Sequence, residues 1–154
     1  TLPFKIGQPE KNEISKTDNG TRQEMSFEGM RALIAEDNEL NMEIAKKILE
    51  KKQMKVTCAY NGAEAVALFE KMPEYTFDAV IMDIRMPVMN GLEAAAAIRA
   101  GAKADAKTIP IIAMSANAFA EDMEKSRRAG MNRHVAKPVE PERLFGVLSE
   151  IFSD

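Results

Sequence analysis

Arg31-Ala-Leu-Ile-Ala35 runs into Glu36-Asp37-Asn38, and Phe77-Asp-Ala-Val-Ile-Met82 runs into Asp83. Each stretch is a short apolar run of strand character that ends on acid. Laid side by side, the two bring three carboxylates to one edge of a sheet. Carboxylates that close repel one another, so the arrangement calls for a cation, and an all-oxygen ligand set favours Mg²⁺. Two further strands end on chemistry as well. Thr108-Ile-Pro-Ile-Ile-Ala-Met114 stops at Ser115, and His134-Val-Ala136 stops at Lys137-Pro138. An acid pair, a lone acid, a hydroxyl and a lysine thus occur in order, each at the carboxyl end of a strand. That is where open α/β sheets bind ligands.

Between these strands the chain reads as helix. Asn38 can cap a helix from near Glu39, in which Leu40, Ile44 and Ile48 recur at helical spacing with Ala45 and Leu49 beside them. With Met42, that set holds more apolar residues than one core-facing stripe takes, so part of it is expected on the surface. Lys55-Val-Thr-Cys-Ala59 is another short strand. Asn61-Gly62 marks a turn into a second helix, carrying Ala63, Val66, Ala67, Phe69 and Met72 and ending at Pro73. Asn90-Gly91 opens a third helix through about Arg99. A fourth runs from about Phe119 to Ala129 and stops at Gly130, and a fifth runs from Glu140 to about Phe152. Five strands, each followed by a helix, predict an α/β domain whose parallel sheet carries helices on both faces.

The bulk numbers agree with one such domain and some additional chain. The sequence has 154 residues, 45% of them hydrophobic and 29% charged, ordinary values for a soluble globular protein. A net charge of −3 gives no general basic field for nucleic acid. Cys58 is the only cysteine, so no intrachain disulfide is possible, and a reducing cytosol is the simpler setting. No apolar run approaches the roughly 18 residues that span a bilayer. Thr1-Leu-Pro-Phe lacks the basic start and apolar stretch of a signal peptide. Residues from about 8 to 28 are polar and without a usable period, and they read as linker. Thr1-Leu-Pro-Phe-Lys-Ile6 is short and strand-like, as the tail of a preceding domain would be. Together with the missing initiator Met, it suggests a piece of something longer.

A carboxylate beside Mg²⁺ can act as a nucleophile toward a phosphoryl group. Asp83, alone at its strand end, is the candidate nucleophile, and Glu36 and Asp37 are candidate metal ligands. Lys137 offers a compact cation for a phosphoryl oxygen, and Ser115 offers a hydroxyl donor. Taken singly, an acid at a strand end is usually a turn or cap residue, and a lone Ser or Lys there is usually solvated surface. The coincidence of four such residues at the same kind of boundary is what separates this pattern from ordinary turns.

These residues resemble a known family. Glu36-Asp37-Asn38, Met82-Asp83-Ile84-Arg85-Met86-Pro87-Val88-Met89-Asn90-Gly91, Met114-Ser115-Ala116 and Lys137-Pro138 look like the motifs of the response-regulator receiver domains of two-component signalling. The resemblance covers residues 30–154 and leaves residues 1–29 as linker with the remnant of a preceding kinase ATP-binding domain. It implies a flavodoxin-like sheet in the order 2-1-3-4-5 with five helices. It implies that Asp83 is the phosphorylated aspartate, that Glu36, Asp37, Asp83 and the backbone carbonyl of Arg85 hold Mg²⁺, and that Ser115 and Lys137 contact the phosphoryl group. It also implies a cis Lys137–Pro138 bond, and an influence of Arg85 and Asn117 on the lifetime of the phosphoryl group. Such a domain catalyses only its own phosphorylation and dephosphorylation.

The flanks narrow the resemblance. Thr1-Leu-Pro-Phe is similar to the last strand of a histidine-kinase ATP-binding domain. Asp37-Asn-Glu-Leu-Asn41 and Gly130-Met-Asn-Arg-His-Val-Ala-Lys-Pro138 are similar to receivers fused to hybrid sensor kinases. The implied partners are a histidine kinase core, a histidine phosphotransfer domain, or both, with this chain on the cytoplasmic side and outside the membrane. One position departs from the family pattern. His134, the only histidine, stands where many receivers carry a Tyr or Phe that reorients on phosphorylation. It reads either as an ordinary imidazole or as an altered, pH-sensitive switch. Three other readings fit less well. A haloacid-dehalogenase-type phosphatase needs a second acid two residues after Asp83, where Arg85 stands. A flavodoxin binds an FMN phosphate at the first loop, which here is Glu36-Asp37-Asn38-Glu39. A purely structural pseudo-receiver would lack Asp83, Ser115 or Lys137.

Overall fold

The computed structural model describes residues 27–116 and 120–152. The predicted linker up to residue 26, the strand-like Thr1–Ile6, Asn117 and the expected helix start at Phe119 lie outside the described residues. Five parallel strands, β1 (Arg31–Ala35), β2 (Lys55–Ala59), β3 (Ala79–Asp83), β4 (Ile111–Ser115) and β5 (Arg133–Ala136), form one sheet in the order β2-β1-β3-β4-β5. They alternate with α1 (Glu39–Glu50), α2 (Gly62–Lys71), α3 (Gly91–Arg99), α4 (Ala120–Arg128) and α5 (Pro141–Phe152). This is the predicted fold. No described helix is long and apolar enough to cross a membrane.

Strands buried on both faces read as continuous apolar runs, because helices cover each side. β3 and β4 are buried at every position. Alternate side chains divide between two cores. Leu33, Ala35, Val80, Met82, Ile111 and Ala113 pack with α2 and α3 through Ala65, Phe69, Ala94 and Ile98. Ala32, Ile34, Ala79, Ile81, Ile112 and Met114 pack with α1 and α5 through Met42, Ile48, Leu49, Leu144 and Leu148. Phe27 belongs to the second core and is 2% exposed. Its ring meets Phe152 edge-on at 5.5 Å and Phe145 at 6.3 Å, and its N–H donates to the Lys52 carbonyl at 2.9 Å. The packed chain therefore extends at least to Phe27, which lies within the stretch read as linker.

The first three helices start on asparagine. The side chains of Asn38, Asn61 and Asn90 accept from the amides of Asn41, Glu64 and Glu93, and Glu93 returns a bond to the Asn90 N–H as a capping box. Each cap follows a strand end, so each helix starts at the carboxyl edge of the sheet. Two boundaries differ from expectation. β4 begins at Ile111 rather than Thr108, because the Thr108 and Ile109 amides turn back to the Asp105 carbonyl and Pro110 has no N–H. α5 begins at Pro141, a residue suited to the first helical position. On α1 the surplus of apolar residues resolves clearly. Met42, Ala45, Ile48 and Leu49 face the sheet, while Leu40 and Ile44 remain 70% and 45% exposed.

Candidate functional site

The carboxyl ends of β1 and β3 are adjacent, and their register sets Ala35 against Met82. The next residues, Glu36 and Asp83, therefore share one edge. One carboxylate oxygen from each of Glu36, Asp37 and Asp83 lies within 4.8 Å of the others. Glu36 and Asp83 are buried and Asp37 faces solvent. Lys137 reaches in from the end of β5, with Nζ 2.8 Å from Glu36 Oε1 and 2.9 Å from Asp83 Oδ2. The Lys137 N–H donates to the Ser115 carbonyl at 2.8 Å, and the Lys137–Pro138 peptide bond is cis, as expected. The other carboxylate oxygens accept from backbone. The Asn38 N–H donates to Glu36 Oε2 at 3.1 Å and the Arg85 N–H to Asp83 Oδ1 at 3.3 Å. The second bond brings the backbone at Arg85 to the carboxylates.

Burial and charge set the protonation of this cluster. Burial pushes the Glu36 carboxyl above its ordinary pKa; hydrogen bonds from Lys137 and Asn38 pull it down without overcoming that, and the Asp83 charge pushes it up again. For Lys137, burial pulls the ammonium down, but its hydrogen bonds to Glu36 and Asp83, with their charges, outweigh burial and leave it above the ordinary lysine value. The donor set is three hard anionic oxygens, two walled in by protein and one facing water. It fits Mg²⁺, which binds through few carboxylates and keeps several waters.

Ser115 ends β4, directly after Met114, the register partner of Asp83. It is 6% exposed, and its Oγ lies 2.8 Å from His134 Nε2. Sequence reasoning placed both residues and missed this hydrogen bond. No motif spacing encodes it, since it joins β4 to β5 across 19 residues. The Asn90-Gly91 turn also has a physical reason. A Cβ on Gly91 would meet the Asp83 carbonyl oxygen, and one on Gly62 would meet the Met89 carbonyl oxygen. Beside the acids, a cleft of about 450 Å³ lies between α1 and the β5–α5 loop, lined in part by Glu36, Ile44, Lys137, Pro138 and Val139.

An open parallel sheet in this order, with an acidic cluster and a lysine at its carboxyl edge, defines a receiver-type α/β domain. The chain belongs to the response regulator receiver domain family, whose model matches residues 32–149. Hybrid signal transduction histidine kinase I of Dictyostelium discoideum is 36% identical over 121 residues, which cover 77% of this chain and 7% of that protein. Sensory/regulatory protein RpfC of Xanthomonas campestris is 30% identical over 171 aligned positions, covering 97% of this chain and 23% of that protein. The chain thus spans less than a quarter of the length of these curated relatives. The receiver domain of sensor histidine kinase PA1611 from Pseudomonas aeruginosa, solved with magnesium coordinated in its active-site cleft, is 34% identical. It superposes with a TM-score of 0.73 over 82% of this chain and 99% of that one. Chemotaxis protein CheY4 of Vibrio cholerae superposes with a TM-score of 0.73 at 27% identity, over 79% of this chain and 98% of that one. The chain is therefore a receiver domain of two-component signalling, related to those of hybrid histidine kinases.

Proposed function

We propose that Asp83 accepts a phosphoryl group from a phosphohistidine in a Mg²⁺-dependent reaction, and that the domain then relays it or signals by changing shape. The observation that carries this reading is the convergence of Glu36, Asp37 and Asp83 within 4.8 Å of one another, with the Lys137 ammonium on Glu36 and Asp83. Asp83 supplies the attacking oxygen. Its new bond to phosphorus forms as the bond from phosphorus to the donor imidazole nitrogen breaks. The imidazole leaves with that electron pair and takes a proton from solvent. Glu36, Asp37, Asp83 and the Arg85 backbone carbonyl would hold Mg²⁺, which when bound neutralises charge on the phosphoryl oxygens. Lys137 exchanges its contacts with Glu36 and Asp83 for a phosphoryl oxygen. Ser115 donates its hydroxyl to another, in competition with His134.

The donor or acceptor is a histidine kinase core or a helical phosphotransfer domain, docking on α1 and the β5–α5 loop. Leu40 and Ile44 are exposed on α1, and Ile44 lines the cleft beside Glu36 together with Pro138 and Val139. The receiver, read from the sequence as residues 30–154, has a packed core that reaches back to Phe27; the residues before that are read as linker with the remnant of a kinase ATP-binding domain. The parent protein is a hybrid histidine kinase with this domain on the cytoplasmic side. Its hybrid-kinase relatives support that reading. The test is phosphate incorporation from acetyl phosphate, mapped by mass spectrometry, with and without EDTA, in wild-type and Asp83→Asn protein. Labelling is expected on Asp83 alone and only with Mg²⁺. Undiminished labelling of Asp83→Asn, or labelling indifferent to EDTA, would falsify the mechanism.

A further inference from the structure

Val88 has 84% of its surface exposed, more than any other large apolar side chain among the described residues. It lies five residues beyond Asp83, on the β3–α3 loop. Its φ is +69°, a left-handed value that β-branched residues rarely adopt. The Met89 N–H donates to the Pro87 carbonyl at 2.7 Å. That closes a three-residue γ-turn about Val88, and the positive φ makes it the rarer, strained form. The surrounding loop holds this turn in place. Met86 and Met89 pack against the core, the Gly62 N–H donates to the Met89 carbonyl at 2.9 Å, and the Gly91 N–H donates to the Ile84 carbonyl at 2.8 Å.

The fold thus requires a left-handed residue at this point, and Gly or Asn meets that requirement with less strain. Valine is the poorer choice for the backbone, and its side chain has little to pack against within the domain. A strained residue whose side chain serves nothing inside the fold points to a role outside it. The neighbourhood says which role. Tyr60 is 44% exposed on the β2–α2 turn, which the Gly62–Met89 bond ties to the Val88 loop, and Leu40 is 70% exposed one turn past Asp37. Two neighbouring connections and the first turn of α1 therefore set apolar side chains around an acidic mouth. Apolar contacts around a polar centre shed water when a protein surface closes over them, and a small donor molecule would not cover them.

Resting on the phosphoacceptor reading above, we propose that Val88 is a specificity-determining contact for the phosphohistidine-bearing helical domain that exchanges phosphate with Asp83. Its side chain packs against apolar surface of that domain beside the reactive imidazole, and the γ-turn holds it there. Docking energy, rather than the chemistry at Asp83, is what valine supplies.

The test compares wild-type protein with Val88→Asn, Val88→Gly and Val88→Ile. The donors are acetyl phosphate and, among the histidine phosphotransfer domains encoded with this chain, the radiolabelled one that phosphorylates the wild type fastest. Asn and Gly should leave acetyl phosphate labelling within about twofold and leave the melting temperature unchanged or higher. Transfer from the phosphotransfer domain should fall by about five- to twentyfold in kcat/KM, borne by KM, as expected where docking contact is lost. Val88→Ile should restore it. Transfer within twofold of wild type in both Asn and Gly overturns the proposal. So does a parallel fall with acetyl phosphate, which would place the effect in the loop's hold on Asp83. A wild-type dimer that Val88→Asn dissolves, or no transfer to wild type from any of the domains, also overturns it. If acetyl phosphate fails to label Asp83 in the wild type, the phosphoacceptor reading itself is refuted.

Discussion

Replacing Lys137 by Met should make this domain's stability depend on metal and pH in a calculable way. Lys137 Nζ touches both Glu36 and Asp83, and its side chain is 20% exposed. Methionine keeps most of the stem and removes the charge. Glu36 and Asp83 then face one another within 4.8 Å with no counter-charge. At an effective dielectric of about 20, unit charges at that separation repel by about 3.5 kcal/mol. Protonation of Glu36 offers an escape whose cost, counted from the unfolded chain, is about 1.36 kcal/mol per pH unit above its unfolded-state pKa. From the ordinary value of 4.5, that cost is about 4 kcal/mol near pH 7.5 and under about 1 kcal/mol near pH 5. The sign follows from the folded-state shift. Burial raises Glu36 above its unfolded value, so the folded state binds more protons, and stability is lost as pH rises through the folded pKa. Urea unfolding in EDTA should show Lys137→Met less stable than wild type by about 3 kcal/mol near pH 7.5. That corresponds to a melting shift of roughly 10 °C, and the deficit should nearly vanish near pH 5. Millimolar Mg²⁺ at the higher pH should restore most of it. An equal deficit at both pH values, or one indifferent to Mg²⁺, would show that Lys137 acts through its stem and not its charge.

Other substitutions test other parts of the site and fold. Arg85→Ala should shorten the phosphoryl half-life on Asp83 about three- to tenfold, if the long cationic side chain shields the acyl phosphate from water; an unchanged rate of phosphate release removes Arg85 from that role. His134→Phe should cost about 1 kcal/mol in urea unfolding through loss of the Ser115–His134 bond, and wild-type stability would mean that bond contributes nothing. Phe27→Ala should cost about 3 kcal/mol or more, because it empties a buried aromatic site against Phe145 and Phe152; a loss below about 1 kcal/mol would show that the fold does not need Phe27.

The order of elements and the edge that carries the chemistry are legible in the sequence. Short strands buried on both faces must be apolar throughout, and parallel connections must return each chain end to the same edge. Acids, Ser115 and Lys137 at strand ends therefore stand out from local pattern alone, as do the asparagines that cap the next helices. Tertiary structure decided what those residues touch. Leu40, Ile44 and Met42 all read as the apolar side of α1, yet only Met42 faces the sheet, because helical phase relative to the sheet is set by packing and not by composition. The bridge from Lys137 to Glu36 and Asp83 and the bond from His134 to Ser115 join residues far apart in the chain. Neither periodicity nor spacing encodes contacts of that range. They exist only once five strands stand in register, and the same assembly confines Val88 to a backbone conformation that its own side chain disfavours.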